Sequence, residues 1–303
     1  MECIDVSGLV GNEISVMKSR FPWWSKIFAK IVLSRIPVGY SSWRRLGFFR
    51  HGHMDQPAYV LNVFNEHVDR AGLDGKLQGK TILEIGPGDS IATALVAACY
   101  GARSILIDSG SFATTSIADY HNIAEVLEFE GLTPPDISKA KTLNDVLDAC
   151  GAKYLTKGLE SFSLIKDGAI DLIFSQAVME HVRKYDFFST MLECFRVLTA
   201  EAVASHRIDL KDHLGGSLNN LRFSERIWES EFFARSGFYT NRIRFPEMVA
   251  LFEKAGFVVE ISDVNYWEQL PIQRKNLAEI FLCISDEDLK VSGFNVLLCK
   301  ELI

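Results

Sequence analysis

Residues 81–108 constrain the fold more than any other stretch of this 303-residue chain. Thr81 to Ile85 is a short aliphatic run interrupted by one acid, Glu84. Gly86-Pro87-Gly88 follows as a turn, then a helix rich in Ala, Leu and Val from about Ser90 to Tyr100, closed by Gly101. Ser104 to Ile107 is a second apolar run, ending in Asp108. Strand, glycine turn, helix, strand is a βαβ unit, and its two parallel strands require a right-handed helical crossover.

The alternation continues downstream. Helical patterns cover Ser116 to Glu130 and Leu143 to Cys150, and Lys153 to Thr156 reads as a third strand. Ile170 to Phe174 is a fourth strand, apolar but for Asp171 at its lip; Tyr185 to Leu198 is a helix and Ala202 to Ile208 a fifth strand. Residues 209–244 break the rhythm with Gly215-Gly216, Asn219-Asn220 and several aromatics, so they read as an insertion. A helix over Phe245 to Ala255 and strands over Phe257 to Ser262 and Phe294 to Cys299 complete a doubly wound α/β fold of seven strands. Such sheets take ligands beyond the carboxyl ends of their strands, where strand order reverses.

The turn itself indicates the ligand. Glycines at alternate positions let backbone approach a bulky group without a Cβ in the way. The helix behind them aims free amides and the positive end of its dipole at that group. Asp108, twenty residues beyond Gly88, can accept hydrogen bonds from two ribose hydroxyls. A dinucleotide site would carry a third glycine where Ile91 stands, and a reductase would carry a Tyr-x-x-x-Lys pair after the fourth strand; both are missing. Glu84, two residues before the first glycine, would repel pyrophosphate and suits a cation.

Glu84-Ile85-Gly86-Pro87-Gly88, the acid Asp108, the stretch Asp171 to Val182 and Phe195-Arg196-Val197-Leu198 together resemble the motifs of class I S-adenosylmethionine (SAM)-dependent methyltransferases. The chain also resembles, in outline, bacterial methyltransferases of glycan and secondary-metabolite pathways. The resemblance implies a Rossmann-like fold and S-adenosyl-L-methionine as cofactor. Glu84, Gly86, Pro87 and Gly88 would line its methionine half, Asp108 with Ser109 its ribose, and Gln176 would lie near the transferred methyl. Two departures stand out: Ser90 replaces the usual third glycine, and Leu159 with Glu160 occupies the region where an acid usually faces the adenine. Residues 1–74 then form a helical extension or lid, and 75–303 the catalytic domain.

Methyl transfer to a hydroxyl or an ammonium group requires removal of a proton. His181, just after strand four, is one candidate base, although its Glu180-His181 pair is equally consistent with a structural role. His206 with Asp209 as its orienting carboxylate is another, from the stretch Ser205 to His213 that follows strand five. A divalent metal there, or at His51 and His53, is a weaker alternative, and no metal is expected. Asn219, Asn220, Arg222, Tyr239, Asn241 and Arg242 among aromatics would suit a glycan or another polyhydroxylated small molecule. A hydroxyl is the expected acceptor, with an amine or a SAM-binding protein without turnover as alternatives.

Charge and cysteines limit the partners. A net charge of −7 disfavours nucleic acid. The six cysteines show no CxxC spacing and sit mostly in apolar runs, as expected of buried thiols in the cytoplasm. No signal peptide precedes them. Phe21 to Val38 reads as an amphipathic helix with Trp24, Ile27, Phe28 and Ile31 on one stripe. It either packs on its own domain or contacts a membrane surface or partner, which would make the protein membrane-associated.

Overall fold

The computed structural model describes residues 56–301. The amphipathic stretch from Phe21, the histidines 51 and 53, and Cys3 lie outside the described residues.

The chain enters with α1 (Pro57–Arg70), whose proline occupies the first turn, where no intrahelical donor is needed. Then come β1 (Thr81–Ile85), α2 (Ala92–Cys99), β2 (Arg103–Ile107), α3 (Ile117–Phe129), α4 (Leu143–Ala149), β3 (Lys153–Leu155), β4 (Ile170–Gln176), α5 (Lys184–Val197) and β5 (Leu198–Asp209). Two single-turn helices, α6 (Glu225–Trp228) and α7 (Glu231–Ala234), lie in the insertion. After it follow α8 (Phe245–Lys254), β6 (Phe257–Tyr266), α9 (Asp286–Lys290) and β7 (Val291–Lys300). The strands form one sheet in the order β3-β2-β1-β4-β5-β7-β6. All neighbours are parallel except at β7, which runs antiparallel to both β5 and β6. The order reverses between β1 and β4, and the carboxyl ends of those strands form the expected ligand crevice.

Alternating side chains build a core on each face of the sheet. Ile82, Leu106, Leu172 and Phe174 pack under α1, α2 and α3 through Phe64, Leu95 and Tyr120. Leu83, Ile173, Ala204 and Val296 pack under α5 and α8 through Phe187, Met191 and Phe252. The Phe64 ring stacks on Tyr100 with centroids 5.9 Å apart. Helix α1 therefore packs directly on the sheet. The seven strands and their βαβ frame agree with the sequence reading. Strands β5, β6 and β7 are each longer than their apolar cores suggested, because ladder pairing carries them into polar residues at their ends.

Beyond the carboxyl ends of β5 and β6 the chain makes two excursions, residues 210–244 and 267–290. Leu218 and Leu221 of the first share an apolar cluster with Ile272, Leu277, Phe281 and Leu289 of the second. The Ala278 amide donates to the Leu221 carbonyl at 2.8 Å. The second excursion was not foreseen from sequence. Arg244 fastens both to the sheet. Only 2% exposed, its guanidinium donates to the carbonyls of Leu210, Leu289 and Val291 at 2.9, 3.1 and 2.5 Å. Burial lowers its pKa to about 10, so it stays charged at neutral pH. Arg244→Met removes the donors and strands three buried carbonyls. A loss of about 3 kcal/mol is expected from a urea denaturation midpoint. A shift worth under about 1 kcal/mol would show that the carbonyls find other donors.

Candidate active site

At the end of β1 the backbone turns on two glycines in the left-handed region, Gly86 at φ 75° and Gly88 at φ 66°. The Gly86 amide donates to the Ile107 carbonyl at 2.8 Å, holding the turn against the end of β2. The Gly88 amide donates to Asp108 Oδ2 at 3.1 Å, and the Ser109 amide to Oδ1 at 2.7 Å. Asp108 is thus oriented by two backbone donors. Its amide donates to the Leu155 carbonyl, and its carbonyl accepts from Gly158, so the start of the short helix Gly158–Leu164 lies beside it. Leu159 sits on that helix, half-buried at the rim. Tyr154 secures the loop after Ser109, its hydroxyl donating to the Gly110 carbonyl and accepting from the Phe112 amide. Pro87 is buried, and Ser90, at 0% exposure, accepts the Ala92 amide at 3.2 Å.

Glu84 is not open to the crevice. It is 4% exposed and its carboxyl meets the Thr93 hydroxyl of α2. Burial, assisted by Asp108, pushes its pKa up to about 8, against the Thr93 hydrogen bond. Glu84 therefore anchors α2 beneath the turn and is mostly protonated at neutral pH, so the expectation of a carboxylate lining the cleft needs correcting.

Gln176 ends β4 and its side chain lies on the α1 face, 3.2 Å from His67 Nε2. His67 is 1% exposed, and its Nδ1 is 2.8 Å from Ser205 Oγ. Burial, then the Arg70 charge, lowers its pKa to about 3, so its ring is neutral. The Nε2–H donates to Gln176 and fixes that amide at the mouth of the crevice. Beyond Gln176, Ala177 adopts φ 54°, unusual for a side chain with a Cβ, and its amide donates to the Arg207 carbonyl. This sharp turn swings Val178 over Gly86.

The candidate bases separate. His206 is 0% exposed, in the core facing Phe252, with Nδ1 2.8 Å from Ser175 Oγ. Burial depresses its pKa to about 3. Asp209 lies three residues along the strand, hence on the opposite face, and binds the Lys211 amide and ammonium. His206 with Asp209 is therefore not a catalytic pair. His181 instead meets His213, their Nε2 atoms 3.0 Å apart and both rings exposed. His181 Nδ1 lies 2.8 Å from the Tyr239 carbonyl, which can only accept, so that nitrogen carries the proton. The His213 Nε2–H then donates to His181 Nε2. The turn carrying His181 is strapped by Asn241, whose side chain donates to the Met179 and Val182 carbonyls at 2.8 and 3.0 Å.

The polar residues of the insertion face inward. Asn220 donates to Thr240, the Tyr239 hydroxyl to Glu229, and Arg242 to the Phe223 carbonyl and Glu225; Asn219 accepts from Arg222. Asn219, Asn220, Tyr239, Asn241 and Arg242 are buried, while Arg222, Glu225 and Glu229 are half-buried. They hold the cap together and offer no array of groups to a glycan. Among the described residues no group of three His, Cys, Asp or Glu could hold a metal ion. Also among them, no helix is long and apolar enough to cross a membrane, and Cys150 and Cys194 are buried free thiols while Cys283 is exposed. A cavity of about 270 Å³ lined by Asn65, Gly75, Leu77 and Tyr100 lies at the amino ends of the strands, away from Asp108.

Sequence reasoning missed His67, Arg207, His213 and Tyr154 as members of this end of the sheet. His213 and Arg207 stood in the flagged run from Ser205, and strand alternation alone would have set Arg207 and His206 on opposite faces. His67 and Tyr154 carry no local signal, because only the fold brings them there.

No family model matches the chain, and no curated protein matches it. Among solved structures it is similar to a SAM-dependent methyltransferase from Methanosarcina mazei, at 20% identity over 75% of this chain and 94% of that one, TM-score 0.45. A SAM-dependent methyltransferase from Archaeoglobus fulgidus shares 14% identity over 79% and 94%, TM-score 0.42. Phosphoethanolamine N-methyltransferase 2 from Haemonchus contortus, solved with phosphomonomethylethanolamine and S-adenosylhomocysteine, shares 14% over 80% of this chain, TM-score 0.44. The chain spans about half of that last protein, 53%. Likenesses at this level carry no conclusion about activity. By its strand order, its antiparallel β7 and its glycine turn, the chain has a seven-stranded Rossmann-like α/β fold.

Proposed function

We propose that the protein transfers a methyl group from S-adenosylmethionine to a hydroxyl of a small molecule. The observation that carries the cofactor is the joint geometry of Gly86, Gly88 and Asp108. It combines two left-handed glycines, a carboxylate pre-oriented by two amides, and a helix start directly behind. Gly86 lies too close to Val178 for any Cβ, which suits a cradle made by backbone. Asp108 would hold the ribose, Gly86 to Gly88 the methionine half, and Leu159 the rim near the base. When bound, the cofactor supplies an electrophilic methyl on sulfur.

The remaining chemistry belongs to the chain. Gln176, held by His67, would orient groups at the mouth of the crevice. The His181–His213 pair would take up the acceptor's proton. A proton arriving at His213 displaces its Nε2 proton toward His181, and the Tyr239 carbonyl stabilises the resulting charge. General-base help of this kind is worth about 10²–10⁴ in rate.

Calorimetric titration with SAM, S-adenosylhomocysteine and NADH tests the cofactor. Micromolar binding of both adenosyl ligands, weakened at least tenfold in Asp108→Ala, is expected; binding of NADH alone, or of nothing, overturns the proposal. Acceptors are then sought by incorporation of labelled methyl. On the acceptor found, His181→Gln should cut turnover about 100-fold and leave SAM affinity unchanged. Equal loss of SAM affinity would mark His181 as structural, and a methylated amine would replace the hydroxyl.

A further inference from the structure

Arg70 and Arg207 are two guanidinium groups that form no ion pair among the described residues. Arg70 closes α1 and is half-buried; its Nη1 donates to Ser205 Oγ at 3.0 Å and lies 3.2 Å from His67 Nδ1. Both anchors are neutral. They fix the direction of the guanidinium and give it no negative charge. Arg207 lies on β5, in register with Gln176 on one side and Asn295 on the other. It is two residues from Ser205, hence on the same face of the sheet as the group that anchors Arg70. Among the described residues its side chain makes no hydrogen bond or ion pair. Arg70 likewise forms no ion pair among them. The two are close enough for the Arg207 charge to oppose that of Arg70 and of His67. Glu66 and Asp263 favour the Arg70 charge from beyond ion-pair distance.

Holding two like charges together, partly out of water, costs free energy that folding alone does not recover. An oxyanion recovers it. The guanidinium fork matches carboxylate and phosphate geometry, with bonds roughly twice as strong as neutral ones. The location is also a ligand position. Gln176 ends β4 in register with Arg207, two residues before the end of β5, and the Arg207 carbonyl holds the Ala177 turn. The charge of Arg207 also reaches Glu180, the residue before His181.

We propose that Arg70 and Arg207 bind an oxyanion, a carboxylate or phosphate carried by the methyl acceptor. The word acceptor rests on the methyl-transfer reading; the anion site does not. The acceptor class becomes an anionic small molecule in place of a neutral sugar, with its charge at the β4–β5 edge and its hydroxyl toward His181 and His213.

The test uses the full chain without SAM. Inorganic phosphate and acetate are titrated separately at fixed ionic strength, with chloride as balance, by calorimetry and by thermal shift. Saturable binding of at least one is expected, and the tighter of the two identifies the anion class. Arg70→Gln and Arg207→Gln should each weaken it at least tenfold, while Arg207→Lys stays within about threefold of the parent. No saturable binding of either anion, or binding that both glutamine variants leave unchanged, overturns the proposal. If Arg70→Gln fails to fold, Arg207→Gln decides, because its side chain has no hydrogen bond or ion pair to lose among the described residues. A chain that binds anion but not SAM keeps this site and loses the methyl-transfer reading. One that binds SAM but neither anion does the reverse.

Discussion

Gly86→Ala should lower SAM affinity at least 100-fold and destabilise the fold with it. Two independent effects act at this position. The backbone sits at φ 75°, where a residue with a Cβ costs roughly 1–2 kcal/mol. A Cβ there would also stand 2.5 and 2.6 Å from the two methyls of Val178. Valine is stiff about χ1, so it cannot swing both methyls aside. Val178 can retreat only with the Ala177 turn, whose own φ of 54° leaves little slack. Relief must therefore come from the glycine turn, and that displaces the Gly88 amide from Asp108. The double variant Gly86→Ala, Val178→Ala separates the two effects. Removing the methyls should restore part of the affinity and leave a residual loss of about tenfold from the backbone alone. Calorimetry on the parent and three variants reads this directly. A single Gly86→Ala variant that binds SAM like the parent would show that the turn is not the cofactor cradle.

The glycine turn and the place of Asp108 at the end of β2 were legible in the sequence. Alternate glycines between an apolar run and an Ala-rich helix can hardly be anything but a strand-to-helix turn. Asp108 is marked by its place at the end of the next apolar run. These signals are local, and local signals survive translation into structure. The side proposed for the acceptor was legible only in part, at Gln176 and His181, for two physical reasons. First, its residues come from four separate places: His67 and Arg70 on α1, Gln176 at the end of β4, Arg207 on β5, and His213 beyond it. Only the sheet order brings them together. Second, polar residue types do not reveal which way they point. His206 and Asp209 looked like a base and its carboxylate, yet strand alternation sends one into the core and the other to the opposite face. Asn220, Asn241 and Arg242 looked like sugar ligands, yet they satisfy the backbone of an irregular cap, where carbonyls and amides lack ladder partners. Such a loop needs buried polar side chains merely to fold. The second excursion, residues 267–290, was missed because its apolar residues are scattered among short 3₁₀ turns and carry no period.

The unliganded protein should be most stable in mildly acid solution and lose stability on both sides. Four buried groups set this profile. Burial raises Glu84 and Glu180 to about 8, well above the ordinary 4.5. It lowers His67 and His206 to about 3 from 6.5. For the two acids the folded state binds the extra protons, so their favourable contribution is full below about 4.5 and is lost as pH rises through 8. For the two histidines the unfolded state binds the extra protons, so theirs is full above about 6.5 and is lost as pH falls toward 3. Between 4.5 and 6.5 the two effects oppose each other, two protons against two, and stability should be nearly flat. Above 6.5 only the acids matter. Two protons then give a slope on the order of 3 kcal/mol per pH unit, a large share of a typical domain's 5–15 kcal/mol. Urea denaturation at pH 5.5, 7 and 8 measures it, and Glu180→Gln identifies the source. That carboxyl is 2% exposed, and the amide cannot ionise, so it should halve the alkaline slope. A midpoint that rises between pH 6.5 and 8 would mean that Glu84 and Glu180 fold as carboxylates. Glu84 would then be a fixed negative charge beneath the glycine turn. On the profile expected here it is instead a neutral acid at the bottom of the crevice, and ionises more readily once a cation is held above it.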